Sequence, residues 1–308
     1  MNDMSAILVD ELSKNYGSVR ALDNINFKVQ EGSIFGFLGP NGAGKSTTIG
    51  LLLQFLKPDH GEIRIFDEDI TNNTSIKRRI AVIPDADLPK ISGLQLLRHT
   101  ARYYGYQGKQ LKDRLREIIT RIGIRDYVSR STATLSKGQK TRIKIANALI
   151  SDPDLIIADE PTSGLDPFAR REFLQLMTEL VLEEKTIFFS SHVVGEVEKV
   201  CNQLIILNQG RVVAGGTLSE ISQHLPTSNS YNIWGSGITQ HLLNQLTGVT
   251  DVTVVSPEHY TVVVEQTEST PRFLKELLDH DSISLFSFNK ESMDLEEIFM
   301  QTIGGEQL

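Results

Sequence analysis

The run Gly39-Pro40-Asn41-Gly42-Ala43-Gly44-Lys45-Ser46-Thr47 constrains the fold more than any other segment of the chain. It satisfies the pattern G-x-x-x-x-G-K-[ST], follows a stretch (Ser33 to Leu38) that reads as a strand, and precedes Thr47 to Leu56, where apolar residues recur with helical spacing. A strand that feeds a glycine-rich turn and then a helix is an α/β device for holding phosphate. Its glycines let backbone N–H groups turn inward, and the helix start adds unpaired donors and the positive end of its dipole. Gly39, Asn41, Gly42, Gly44, Lys45, Ser46 and Thr47 are therefore the expected phosphate-binding residues. Lys45 suits the β- and γ-phosphates as a point charge, and the Ser46 hydroxyl suits Mg²⁺.

Such a loop needs a carboxylate for the metal at the end of a neighbouring strand. Leu155 to Ala158 is fully apolar and ends in Asp159-Glu160. Alone, Asp-Glu-Pro reads as the start of a solvated turn. Paired with Lys45 and Ser46, it assigns Asp159 to Mg²⁺, directly or through water, and Glu160 to the attacking water.

The remaining pattern places these segments. Ile7 to Leu12 and Asn24 to Val29 read as short strands interrupted at Asn15, Gly17 and Ser18, with further strands at Ile63 to Phe66 and Ile80 to Ile83. A helical region covers Ser92 to Gly123, broken near Gly105 and Gly108, and another helix covers Lys140 to Leu149. After Leu155 to Ala158 come a helix from Ala169 to Leu182, a strand from Thr186 to Ser190, and a hairpin of Leu204 to Asn208 with Arg211 to Ala214. Helices alternating with apolar strands predict a mostly parallel sheet covered on both faces.

The sequence resembles the ABC ATPase family from about Leu8 to Ser222. Besides the phosphate loop and Asp159-Glu160, Leu135-Ser136-Lys137-Gly138-Gln139 resembles the family's LSGGQ signature, and Ser163-Gly164-Leu165-Asp166 its D-loop. His192 stands where the family has its switch histidine, and Tyr16 where it places an aromatic residue against adenine. The resemblance implies an α/β P-loop NTPase of ABC ATPase type with a helical subdomain at about 88–150. It also implies two cassettes arranged head to tail, with ATP and Mg²⁺ between the phosphate loop of one and the signature of the other. Ser136, Gly138, Gln139 and Asp166 then belong to the nucleotide site, and His192 orients Glu160 and water rather than serving as the sole base. Taken singly, Ser136 reads as a helix cap, Gly138 as a turn glycine, His192 as a surface histidine and Tyr16 as a packing residue.

Two positions depart from the family pattern. Ile83-Pro84-Asp85 has Asp85 where most members carry a glutamine that binds Mg²⁺ or water; Asp85 is either a metal and catalytic-site residue with a shorter, charged arm or a solvated loop carboxylate. Lys137 replaces the signature's middle glycine, either as a cation beside the partner's ATP or as a side chain in solvent.

The polar stretch 224–230 marks the boundary between an ATPase domain, 1–223, and a C-terminal domain, 231–308. The latter reads as a small α+β unit, β-α-β-β-α-β and so compatible with a ferredoxin-like fold, followed by a last helix from about Leu295. It resembles the accessory domain of ABC-2 exporter ATPases, whose acidic, aromatic-ended tail is similar to Ser292 to Phe299.

Composition narrows the function. With 308 residues and 40% hydrophobic content the chain builds a full core, and its net charge of -8 argues against nucleic acid as a partner. Cys201 is the sole cysteine, which excludes an intrachain disulfide. Apolar runs fall far short of the roughly 18 residues of a membrane helix, and the first residues lack a secretory pattern. The expectation is a peripheral subunit at the cytoplasmic face of a membrane that hydrolyses ATP to energise a separate transmembrane permease, with export favoured by the accessory-domain resemblance. The alternatives are a noncatalytic nucleotide-dependent regulatory module, or a soluble ABC-type ATPase that remodels a nucleic-acid or ribosomal complex.

Overall fold

The computed structural model describes residues 5–71, 73–224, 230–265, 270–280, 283–290, 295–296 and 299–300. The chain divides into two compact units, Met1–Ile221 with Phe299–Leu308, and Ser222–Ile298.

In the first unit, with elements numbered along the chain, two sheets enclose the core. β1 (Ser5–Tyr16), β2 (Val19–Gln30), β4 (His60–Ile65) and β5 (Glu68–Asp69) form an antiparallel sheet in the order β2-β1-β4-β5. The second sheet is built from β3 (Ile34–Leu38), β6 (Ile80–Ile83), β7 (Leu155–Ala158), β8 (Thr186–Ser191), β9 (Gln203–Asn208) and β10 (Arg211–Gly216). Its order is β10-β9-β3-β8-β7-β6, parallel throughout except for β10. The parallel sheet expected from the apolar strands is thus present, while the first two strands pair separately and run twice as long as their apolar cores suggest. Phe27 of β2 meets Phe35 and Phe37 of β3 at 5.6 and 5.7 Å between ring centres and Phe188 of β8 at 6.1 Å, so aromatic residues join the two sheets.

Helices α1 (Lys45–Leu52), α2 (Thr74–Arg78), α6 (Pro167–Leu182) and α7 (Val194–Val200) accompany the sheets, and α8 (Leu218–His224) follows β10 at the boundary of the two units. Between β6 and β7 stand α3 (Gly93–Tyr103), α4 (Gly108–Ile122) and α5 (Lys137–Leu149), the helical subdomain. Helix α3 begins in a Ser92/Gln95 capping box, and α4 turns Leu115, Ile118 and Ile122 inward and stops at Gly123 in the left-handed region.

The second unit runs β11 (Ser230–Ser236), α9 (Gln240–Leu243), β12 (Val249–Ser256), β13 (His259–Val264), α10 (Thr270–Leu278) and β14 (Ser284–Lys290). Its antiparallel sheet has the order β12-β13-β11-β14 around a core that includes Ile233, Val262, Phe273 and Leu277. Of the expected boundary, positions 225–229 lie outside the described residues, as does most of the tail expected to be a helix from Leu295. The architecture is the α/β one the resemblance implies, a strand, glycine loop and helix within a mostly parallel sheet, with a helical subdomain and a small C-terminal α+β unit.

Candidate functional site

The site is set by strand ends. The neighbouring parallel strands β3, β8, β7 and β6 lead respectively into Gly39, His192, Asp159 and Asp85. Because parallel strands present their C-termini at one edge, these segments converge there.

Pro40, Asn41, Gly42, Gly44, Lys45, Ser46 and Thr47 line a cleft of about 470 Å³ together with Asp85, Glu160, Val19, Arg20, Ala21, Gln209 and Gly210. Gly44 has φ +110°, and a β-carbon there would come within 2.8 Å of the Ala21 carbonyl oxygen, so only glycine fits. Because Gly44 is the N-cap of α1 and supplies no side-chain cap, side chains leave the first helical N–H groups to an anion. Lys45 is 6% exposed, and its ammonium donates to the carbonyls of Gly39 at 2.6 Å and Pro40 at 3.1 Å.

Glu160 faces this cation. Its Oε1 lies 3.1 Å from Lys45 Nζ, an ion pair without hydrogen-bond alignment, while Oε2 lies 2.7 Å from His192 Nδ1. The Glu160 backbone is in the left-handed region, φ +42°, uncommon for a residue with a side chain. Its N–H donates to the Ser190 hydroxyl at 2.9 Å, which holds the turn. The same hydroxyl donates to Asp159 Oδ1 at 2.8 Å. Burial pushes the Asp159 carboxyl above its usual value, as do the carboxylates of Glu160 and Asp85, while Ser190 and Lys45 oppose the rise. A carboxylate held in that condition is one that a divalent cation relieves. Among the described residues no three His, Cys, Asp or Glu side chains gather as a metal cage. Magnesium takes one or two carboxylates and retains water and phosphate oxygens, so the hydroxyl of Ser46 with Asp159 is a fitting donor set.

Other expected residues stand apart from this cleft. Ser136 caps α5: its Oγ accepts from Gln139 N–H at 3.3 Å while Gln139 Oε1 accepts from Ser136 N–H at 3.1 Å. Gly138 borders a different depression, with Thr141, Arg142 and Ala169. Asp166 caps α6, accepting from the N–H groups of Phe168 and Ala169. Tyr16 is about half exposed at the end of β1 and is not among the cleft residues; Lys14 Nζ lies 5.9 Å from its ring centre. The side chain of Lys137 lies against the D-loop, its ammonium close beside the place where a β-carbon of Gly164 would sit.

Sequence reading missed the polar layer beneath the site. Thr162, Ser190, Ser191 and Glu196 are all buried. The available signal was a pair of serines following the apolar run Ile187 to Phe189 in β8.

Among the described residues no helix is long and apolar enough to cross a membrane. The family model described as "ABC transporter" matches residues 22–163. The daunorubicin/doxorubicin resistance ATP-binding protein of Streptomyces peucetius is 31% identical over 97% of this chain and 92% of its own length. The Nod factor export ATP-binding protein I of Paraburkholderia xenovorans is 31% identical over 98% of both chains. Among solved structures, cbiO1 of Clostridium perfringens, part of an ABC transporter complex, superposes with a TM-score of 0.66 at 30% identity, covering 72% of this chain and 92% of that one. With the phosphate-loop cleft, the carboxylate pair and these likenesses together, the chain belongs to the ABC transporter family as an ATP-hydrolysing subunit coupled to a transport permease.

Proposed function

We propose that this chain works as a homodimer that encloses ATP and Mg²⁺ between two head-to-tail copies and drives an export permease from the cytoplasmic face of the membrane. The observation that carries the reading is the Lys45–Glu160–His192 cluster at the phosphate-loop cleft. Lys45 and the backbone donors of Asn41, Gly42 and Gly44 to Thr47 hold the triphosphate, while the Gly39 N–H is taken by the Ser191 carbonyl. Ser46 and Asp159, with Asp85 at the cleft, would hold Mg²⁺, which supplies charge neutralisation on the phosphates when bound. Glu160 accepts a proton from the attacking water, and His192 fixes the carboxylate's orientation through its contact at 2.7 Å.

The distance of the signature from this cleft favours a second copy. Ser136 spends only a lone pair on its helix cap, so its O–H remains a donor for the terminal phosphate of an opposing site. Gly138 adds a backbone N–H, Gln139 and Asp166 frame the signature and D-loop, and Tyr16 offers its exposed ring to adenine. Export is favoured by the full-length similarity to proteins named for drug resistance and Nod factor export. The unit Ser222–Ile298 is read as a ferredoxin-like accessory domain without a phosphate loop of its own.

The test is E160Q. In Mg-ATP the variant binds nucleotide, does not turn it over and runs as a dimer by sizing. An E160Q chain that stays monomeric at saturating nucleotide rejects the shared site. Hydrolysis unchanged by E160Q favours the noncatalytic module instead.

A further inference from the structure

Glu196 is 2% exposed, which is rare for a carboxylate without matched partners. Its Oε2 accepts two hydroxyl bonds, from Thr162 at 2.6 Å and from Ser191 at 2.9 Å. Its Oε1 stands 3.0 Å from Arg170 Nε, an ion pair that compensates the charge without hydrogen-bond alignment. The partners belong to two different strand ends. Thr162 follows Glu160 at the end of β7, and Arg170 lies in the first turns of α6, beyond the D-loop. Ser191 precedes His192 at the end of β8, its carbonyl accepts from the N–H of Gly39 at 3.3 Å, and its hydroxyl also accepts from Val193 N–H at 3.0 Å.

We propose that Glu196 is a positioning residue for ATP hydrolysis, one carboxylate that locks the segment carrying Glu160 and the D-loop to the segment carrying His192. The inference rests on the roles given above to Glu160 and His192. Because 162 and 170 are both tied to Glu196, the D-loop between them is anchored at each end, and the anchor also fixes the residue beside His192. The Glu160–His192 contact is therefore held by more than the two side chains that make it. A shift of the D-loop is also transmitted to His192 in the same chain.

An amide at 196 cannot keep both sides as they are. If its oxygen faces the two hydroxyls, its NH₂ faces the Arg170 cation; in the reverse orientation the two hydroxyls lose the acceptor they now donate to and must turn to accept from NH₂. E196Q in the full chain is thus a near-isosteric probe. It is expected to lower kcat roughly tenfold, as a small misplacement of catalytic groups does, with KM for ATP within about twofold of wild type. T162V, which removes one hydroxyl, lowers kcat in the same direction, and T162S restores it.

The deciding measurement is a double-mutant cycle with H192A. If Glu196 acts through His192, E196Q causes little further loss in H192A. Full activity of E196Q beside a slow H192A overturns the inference alone, as does a tenfold loss that persists undiminished in the H192A background. Full activity of H192A removes the role of His192, and this inference with it. Should E196Q fail to fold, T162V against T162S decides: equal kcat for both variants overturns the proposal.

Discussion

Lys45 and Glu160 form an ion pair at 3.1 Å, and the other oxygen of the same carboxylate meets His192 at 2.7 Å, so the cation assigned to phosphate and the base assigned to water are electrostatically linked within one chain. A change at either end alters what the other feels.

K45A removes the buried cation and leaves Glu160 facing the phosphates without compensation. Charge-assisted hydrogen bonds contribute about 1.5–3 kcal/mol each, so ATP affinity falls by roughly 10- to 100-fold or more. Calorimetric titration with ATP checks this; an affinity within twofold of wild type contradicts the placement of triphosphate at Lys45.

E160Q keeps the contact geometry but loses the proton acceptor. General-base catalysis contributes about 10²- to 10⁴-fold, and kcat is expected to drop by that order with nucleotide binding preserved. Single-turnover assays separate this from slowed product release.

Asp159 gives a stability prediction of opposite sign to its functional one. Burial raises its carboxyl above the ordinary value of 3.8, so the folded chain holds the proton more tightly than the unfolded chain. The stabilisation from that group is complete below the ordinary value and is lost as pH rises through the elevated one. D159N escapes the loss, since its amide oxygen still accepts from Ser190. Its Tm without nucleotide is expected to exceed wild type at neutral pH, with the gain shrinking as pH falls into the carboxylate range. Mg²⁺-dependent hydrolysis disappears in the same variant. A lower Tm for D159N at pH 7 contradicts this account of Asp159.

Asp85 lines the cleft and is among the charges that raise Asp159. D85Q trades that charge for a longer neutral arm. The Mg²⁺ concentration for half-maximal hydrolysis is expected to rise severalfold to roughly tenfold, the range typical of supporting metal-site groups, together with a changed kcat. A magnesium titration identical to wild type assigns Asp85 to the loop alone.

The chemistry was legible where strands are buried along their whole length. Every residue of β3, β7 and β8 is buried, and the break from apolar to polar at Gly39, Asp159 and Ser190 to His192 marks the strand ends that carry the reacting groups. β1 and β2 were harder to read. Glu11 and Asn24 have φ of 48° and 51°, and the pairing register shifts several times, so strict alternation fails and the 12-residue strands look like fragments. Helix α7 is short and was not foreseen, and with it went Glu196, a charged residue whose burial depends on partners far away in sequence. Ser136 and Gly138 were recognisable by motif, yet a single chain does not bring them to Lys45. Whether a second copy does so is a matter of assembly rather than of folding.

Lys137 and Gly164 make one steric unit. The lysine's ammonium fills the space above the D-loop glycine, whose φ of +66° already disfavours a side chain. A residue bearing a β-carbon at 164 has to push aside the lysine's flexible end, and a shorter residue at 137 uncovers the loop. The signature of this cassette is thus read together with the loop it leans on.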